Sequence, residues 1–122
     1  MVPVMDFERY WQDCVRQDKD TLRTWFWPDA RIVWPCTDEV FTVEEFLTVN
    51  CEYPGSWQGE LIHVTPTPMG AVTEVTIVSA DGKQRCHAVS IFTLYRDRIV
   101  SLTEYYADDG PPPGWRKELM HR

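Results

Sequence analysis

The second half of this chain constrains its fold most. Between Trp57 and Ala107, four segments read WQGELIHVTPTP, AVTEVTIVS, QRCHAVSIFTLY and RIVSLTEYYA, each rich in β-branched and aromatic residues. The Asp81-Gly82 pair in ADGK joins the second segment to the third, and YRDRI turns the third into the fourth. Strands joined so tightly run antiparallel.

The turns predict a register. YRDRI reads as a three-residue loop, Arg96 to Arg98, with Arg98 in the left-handed conformation. Tyr95 then opposes Ile99, Phe92 opposes Leu102 and Ser90 opposes Glu104. Across the Asp-Gly turn, Lys83 pairs with Ala80, which sets Ser90 against Thr73 and Ala88 against Val75. Because strand side chains alternate, one face collects Val75, Ile77, Ala88, Ser90, Phe92, Leu102, Glu104 and Tyr106. This face is apolar with a few converging polar groups, as in a small-ligand pocket. Glu74, Thr76, His87, Val89, Ile91 and Thr103 fall on the other face, which is mixed enough to serve as a dimer surface.

The first half has a different period. In DFERYWQDCVRQ, the residues Phe7, Tyr10, Trp11 and Cys14 recur at three and four, which predicts an amphipathic helix. A second helix is expected over DKDTLRTWFWPD, with Leu22, Trp25 and Phe26 on one stripe and Pro28 ending it. ARIVWP reads as a short strand. TVEEFLTVNCEY opens with Thr42 and has Glu45 three residues on, a capping box, so it predicts a third helix. From about residue 108 to 122 the chain reads as a Pro-rich tail with solvated acids at Asp108 and Asp109 and with Trp115 as an anchor that folds back. Helices followed by an antiparallel run make an α+β domain, and residues 1–122 are read as one domain.

Nineteen Asp plus Glu against twelve Lys plus Arg leave a formal charge of −7, which argues against a nucleic-acid partner. No apolar run approaches the roughly 18 residues that cross a bilayer, and MVPVMDFERY lacks the cationic lead of a signal peptide. The expectation is a cytoplasmic protein with no membrane partner. Cys14, Cys36, Cys51 and Cys86 are scattered without a CxxC pair, so they are expected free and mostly buried. No residue spacing matches a metal site, and none calls for a cofactor.

The order helix, WFWPDARIVWP, helix, then a meander ending FTLYRDRIVSLTEYYADD resembles the nuclear transport factor 2-like (NTF2-like) superfamily, in its SnoaL-like branch. The resemblance runs from Phe7 to about Asp108. It implies a cone-shaped α+β fold, three N-terminal helices packed on a strongly curved, mainly antiparallel sheet, commonly as a homodimer through the outer sheet face. It also implies roles. In ketosteroid isomerases of this fold a strand of the form A-x-V-x-D-P carries the general base. ARIVWP is similar but has Trp34 there, which cannot accept a proton. Tyr10 is similar to that family's tyrosine oxyanion donor, and Ser90 stands where its second donor would be. In SnoaL-type polyketide cyclases an I-V-x-x-W-D pattern carries the acid/base, and IVSLTE fits its spacing with Glu104 at the acidic position, one methylene longer than Asp, and with Thr103 where the Trp would stand.

The candidate catalytic residues are therefore Glu104, Tyr10 and Tyr106, and the candidate ligand-binding residues are Trp25, Trp34, Ser90, Phe92, Leu102 and Val75. A glutamate in a closed apolar cavity has its pKa raised by desolvation, which suits proton transfer near neutral pH. Tyr10 or Tyr106 would donate to a developing oxyanion, and Ser90 would orient the carboxylate. The activity implied is cofactor-independent cyclase, isomerase or dehydratase chemistry on a small aromatic or polyketide-like compound. Two other readings stay open. Glu104 is also explicable as a buried structural carboxylate held by Tyr10, Ser90 or a backbone group, and the whole chain as a non-catalytic ligand-binding or dimerisation module.

Overall fold

The structure is a computed structural model that describes residues 5–119. Helix α1 (Phe7–Arg16) starts at Asp6, whose carboxylate accepts the Arg9 N–H at 3.0 Å. Phe7, Tyr10, Trp11 and Cys14 are all buried, as their spacing predicts. Asp18 caps the short helix α2 (Lys19–Arg23) through the Thr21 N–H.

The chain departs here from the helical expectation for Trp25 and Phe26. Strand β1 runs Phe26–Trp34, far longer than ARIVWP alone. Backbone pairing with the last strand overrides the local helical spacing, because the Ile99 N–H donates to the Trp25 carbonyl at 2.8 Å and Phe26 pairs with Ile99. Pro28 is tolerated since it falls in the irregular stretch between Phe26 and Arg31, where no ladder hydrogen bond needs its missing N–H. A 3₁₀ turn (Pro35–Thr37) and strand β2 (Glu39–Phe41) lead into helix α3 (Val43–Cys51), whose Thr42–Glu45 capping box is formed on both sides.

Strands β3 (Trp57–Thr67), β4 (Gly70–Ser79), β5 (Arg85–Tyr95) and β6 (Arg98–Asp108) form the antiparallel meander. The six-stranded curved sheet has the order β2-β1-β6-β5-β4-β3, and only β1 and β6 pair in parallel. Thr73 pairs with Ser90, Val75 with Ala88, Phe92 with Leu102 and Ser90 with Glu104, each as predicted. The route to the last two pairs differs from expectation. Arg96 and Asp97, at φ 49° and 62°, make a two-residue turn, so Tyr95 pairs with Arg98 rather than Ile99. A bulge at Val100, between the Leu94–Ile99 and Thr93–Ser101 pairs, then supplies the residue that the shorter turn lacks. The two offsets cancel.

The helices fill the concave face with aromatic rings. Phe92 meets Phe7 at 4.9 Å and Tyr10 at 5.4 Å between ring centroids, and Phe26 meets Phe46 at 5.6 Å. Each such fully buried ring is worth about 1.5–3 kcal/mol over exposure, so this layer dominates packing. On the convex face Val89, Ile91 and Tyr105 remain exposed in the single chain.

Other expectations need correction at the edges. Trp115 is 79 % exposed and anchors nothing among the described residues; it sits on a short fourth helix, α4 (Gly114–Lys117), within the predicted tail. Asp109 is not simply solvated: it pairs with Arg85 at 3.2 Å and His87 at 2.7 Å across the meander. All four cysteines are free, but only Cys14 is buried: Cys36 lies in the 3₁₀ turn, Cys51 ends α3 and Cys86 is the second residue of β5. No described helix is long and apolar enough to cross a membrane.

Candidate functional site

Glu104 is 1 % exposed, on the concave face of β6. Three donors converge on its carboxylate. Ser90 Oγ, directly opposite on β5, donates to Oε2 at 2.7 Å. Trp34 Nε1 donates to Oε1 at 3.0 Å, and the Tyr106 hydroxyl donates to the same oxygen at 3.3 Å. Trp34 arrives because β1 lies beside β6 with Val33 paired to Thr103, which brings the next residue alongside Glu104. Tyr106 arrives because it lies two residues along the same strand, hence on the same face.

Burial pushes the Glu104 carboxyl above its ordinary range, and the three donors partly offset this by favouring the charged form. An indole N–H can only donate, so Oε1 must remain an acceptor. The proton of neutral Glu104 therefore sits on Oε2, where Ser90 can turn from donor to acceptor. Tyr106 is held well above its usual range by burial and then by the Glu104 charge, so it stays a neutral donor.

A cavity of about 470 Å³ adjoins this cluster. Its lining includes Trp34 and Tyr106 but not Glu104, which stands behind them. Trp11 and Cys14 of α1, Asn50 of α3 and Trp57 at the start of β3 form other parts of the wall. Trp34 and Tyr106 meet edge to face at 5.5 Å, so together they separate carboxylate from cavity. Among the described residues no group of three or more His, Cys, Asp or Glu is placed to hold a metal ion.

The other candidate residues sit deeper. Tyr10 is fully buried among Trp11, Trp25, Phe26 and Phe92 and does not line the cavity. Its hydroxyl has no partner in strict hydrogen-bonding geometry among the described residues, although the Cys14 thiol lies beside it. Burial, then the neighbouring Cys14 and Glu104 charges, hold Tyr10 well above its ordinary range. Val75, Phe92 and Leu102 share the face of Glu104 but lie under the helices, in the core. Trp25 gives its indole N–H to Asp13 at 2.8 Å, away from Glu104.

Sequence reasoning missed Asp13, Tyr53, Trp57 and Arg85. Asp13 is a buried acid that also pairs with Arg16 at 2.7 Å. Its signal was present, since it falls three residues after Tyr10 and so on the buried face of α1. Tyr53, Trp57 and Arg85 lie at element ends, and no local pattern marks them as cavity lining.

No family model matches the chain, and the curated proteins hold no matching relative. Solved structures do match. An NTF2-like protein of unknown function from Burkholderia xenovorans LB400 is 21 % identical with TM-score 0.76, covering 95 % of this chain and 91 % of its own. A provisionally named ketosteroid isomerase from Kribbella flavida DSM 17836 is 22 % identical with TM-score 0.78, covering 94 % and 84 %. A provisionally named SnoaL-like polyketide cyclase from Jannaschia sp. CCS1 is 14 % identical with TM-score 0.69, covering 82 % and 81 %. The chain has the NTF2-like fold.

Proposed function

We propose that this protein binds a small, largely aromatic or polyketide-like molecule in the cavity, and that Glu104 acts on it through Tyr106 as a cofactor-independent acid/base of the cyclase, isomerase or dehydratase kind. The observation that carries the reading is the buried carboxylate whose two Oε1 donors, Trp34 and Tyr106, are themselves cavity wall. A ligand proton passes to the Tyr106 oxygen while the Tyr106 proton passes to the Oε1 lone pair that accepts it at rest. The other Oε1 lone pair keeps the Trp34 N–H, so the ligand is left anionic and the glutamic acid neutral, its proton transiently on Oε1 instead of its resting place on Oε2. The concerted transfer avoids a buried tyrosinate, which the raised Tyr106 pKa makes costly. The raised Glu104 pKa makes its carboxylate a better proton acceptor than an ordinary one. Ser90 orients that carboxylate, and the packed Val75, Phe92 and Leu102 layer keeps water from it. Membership of the SnoaL-like branch, a single domain over residues 1–122, a cytoplasmic location and a homodimer through Val89, Ile91 and Tyr105 complete the proposal.

The test is a thermal-shift screen of aromatic and polyketide-like carbonyl compounds on wild type, Glu104→Gln and Tyr106→Phe, followed by turnover assays on the hits. The reading expects hits that both variants still bind but no longer convert. Binding without conversion by the wild type would favour a second reading, a non-catalytic binding module. That reading has its own observation: Glu104 already accepts three hydrogen bonds and does not itself line the cavity. No hit at all would refute both.

A further inference from the structure

The cavity wall has few hydrogen-bond donors left to give. Its indole N–H groups are all committed inside the protein: Trp11 to Thr73 Oγ1 at 3.1 Å, Trp34 to Glu104 at 3.0 Å, and Trp57 to the Pro54 carbonyl at 3.0 Å. Two of the three side-chain amides follow the same pattern, while that of Gln84 stays free to donate as a neutral group. Asn50 donates to the Cys14 carbonyl at 3.0 Å, and Gln17 donates to the carbonyls of Asn50 and Tyr53 at 3.1 and 2.7 Å. Thr37 donates its hydroxyl to Glu39 at 2.6 Å. Arg85, the cationic residue in the lining, is already paired with Asp109.

Beyond the neutral Gln84 amide and Tyr53 hydroxyl, acceptors and ring faces are what remain. Asp108 lines the cavity with no ion-pair or side-chain hydrogen-bond partner among the described residues, and Glu39 adds a second carboxylate. Trp34 and Tyr106 are inclined at 69°, and Tyr53 and Trp57 at 60° with centroids 5.7 Å apart. Each pair forms a corner of two ring planes, and a ring face carries negative electrostatic potential. An anionic head group would find two carboxylates and, as its one positive counter-charge, an arginine already paired with Asp109. A cation would find carboxylates and π faces, the surroundings that favour ammonium groups.

We infer that the cavity selects a ligand bearing an ammonium group, either a protonated amine or a quaternary ammonium, on an aromatic or apolar body. This rests on the reading that the cavity is the ligand site, and it names the chemical class that the site takes.

Isothermal titration of the full chain with three matched probes tests it. The probes are meta-hydroxyphenyltrimethylammonium, its neutral isostere meta-tert-butylphenol, and the anion meta-hydroxybenzoate. The cation is expected to bind at least about tenfold more tightly than the isostere, the scale of a partly desolvated cation–π contact. Raising salt toward about 1 M should erode that preference by screening Glu39 and Asp108. Asp108→Asn, at an exposed position, and Trp57→Leu, at a half-buried one, should weaken the cation by more than the isostere. A neutral probe binding as well as the cation, or an anion binding best, would overturn the ammonium assignment and leave the cavity reading standing. Failure of all three probes to bind would refute the two together.

Discussion

Replacing Glu104 by glutamine tests the energetics of the site directly. The carboxamide oxygen must face Trp34 and Tyr106, because both donate there. Its NH₂ then faces Ser90, which has to turn from donor to acceptor. In the neutral wild type Ser90 accepts in the same way, so the variant differs by one further amide N–H left without a partner in a buried place, a loss of about 1–3 kcal/mol. Near pH 4, where Glu104 is mostly neutral, the wild type is therefore expected to be more stable than the variant by about 1–3 kcal/mol. The gap should close as pH rises. The folded pKa lies above the unfolded one, so the stabilisation is fully present below the unfolded value, near 4.3. It is lost as pH climbs through the folded pKa, at about 1.4 kcal/mol for each unit separating the two. Urea unfolding of both proteins from about pH 4 to pH 8, taken as a difference so that the other carboxylates cancel, measures this. A difference that stays flat or grows with pH would show that Ser90, Trp34 and Tyr106 stabilise the charged carboxylate more than burial destabilises it, and would refute the argument.

Three further outcomes follow from contacts elsewhere. Trp34→Phe keeps a ring in the wall but removes one donor to Oε1, so the pH window of that difference curve should move upward, with about 1–2 kcal/mol lost near neutral pH; an unmoved window would mean the indole does not tune Glu104. Gly70→Ala would place a Cβ 2.1 Å from the Phe92 carbonyl oxygen, so β4 and β5 must separate locally and thermal unfolding should show a loss above about 3 kcal/mol, or no folded protein. Thr42→Ala removes one side of the α3 capping box and should cost about 0.5–2 kcal/mol in chemical denaturation without changing ligand affinity, since Thr42 is not part of the cavity lining.

Much of the site was legible because strands alternate. Once two turns were placed, Ser90 had to oppose Glu104 and Tyr106 had to share its face, and all three meet in the structure. Even the misread YRDRI turn did no harm, because the Val100 bulge restored the register. The Thr42–Glu45 box and the α1 stripe were equally local signals, read from spacing alone.

Parity assigns a face but not a depth, and depth was decided by tertiary packing. Val75, Phe92 and Leu102 lie on the face of Glu104, yet α1 and its neighbours cover them, with Phe7 and Tyr10 seated on Phe92. The cavity lies instead against Trp11, Cys14 and the end of α1, where Trp34, Tyr106 and Trp57 complete its wall. The partner of each indole was likewise beyond local reading. Trp34 reaches Glu104 through the one parallel pairing in the sheet, between strands whose contacting residues lie 70 positions apart. The sequence by itself determined periods, turns and therefore faces, because those follow from backbone geometry over a few residues. Which side chains share a closed space depends on how helices settle across the whole sheet, a choice made by packing among residues distant in the chain.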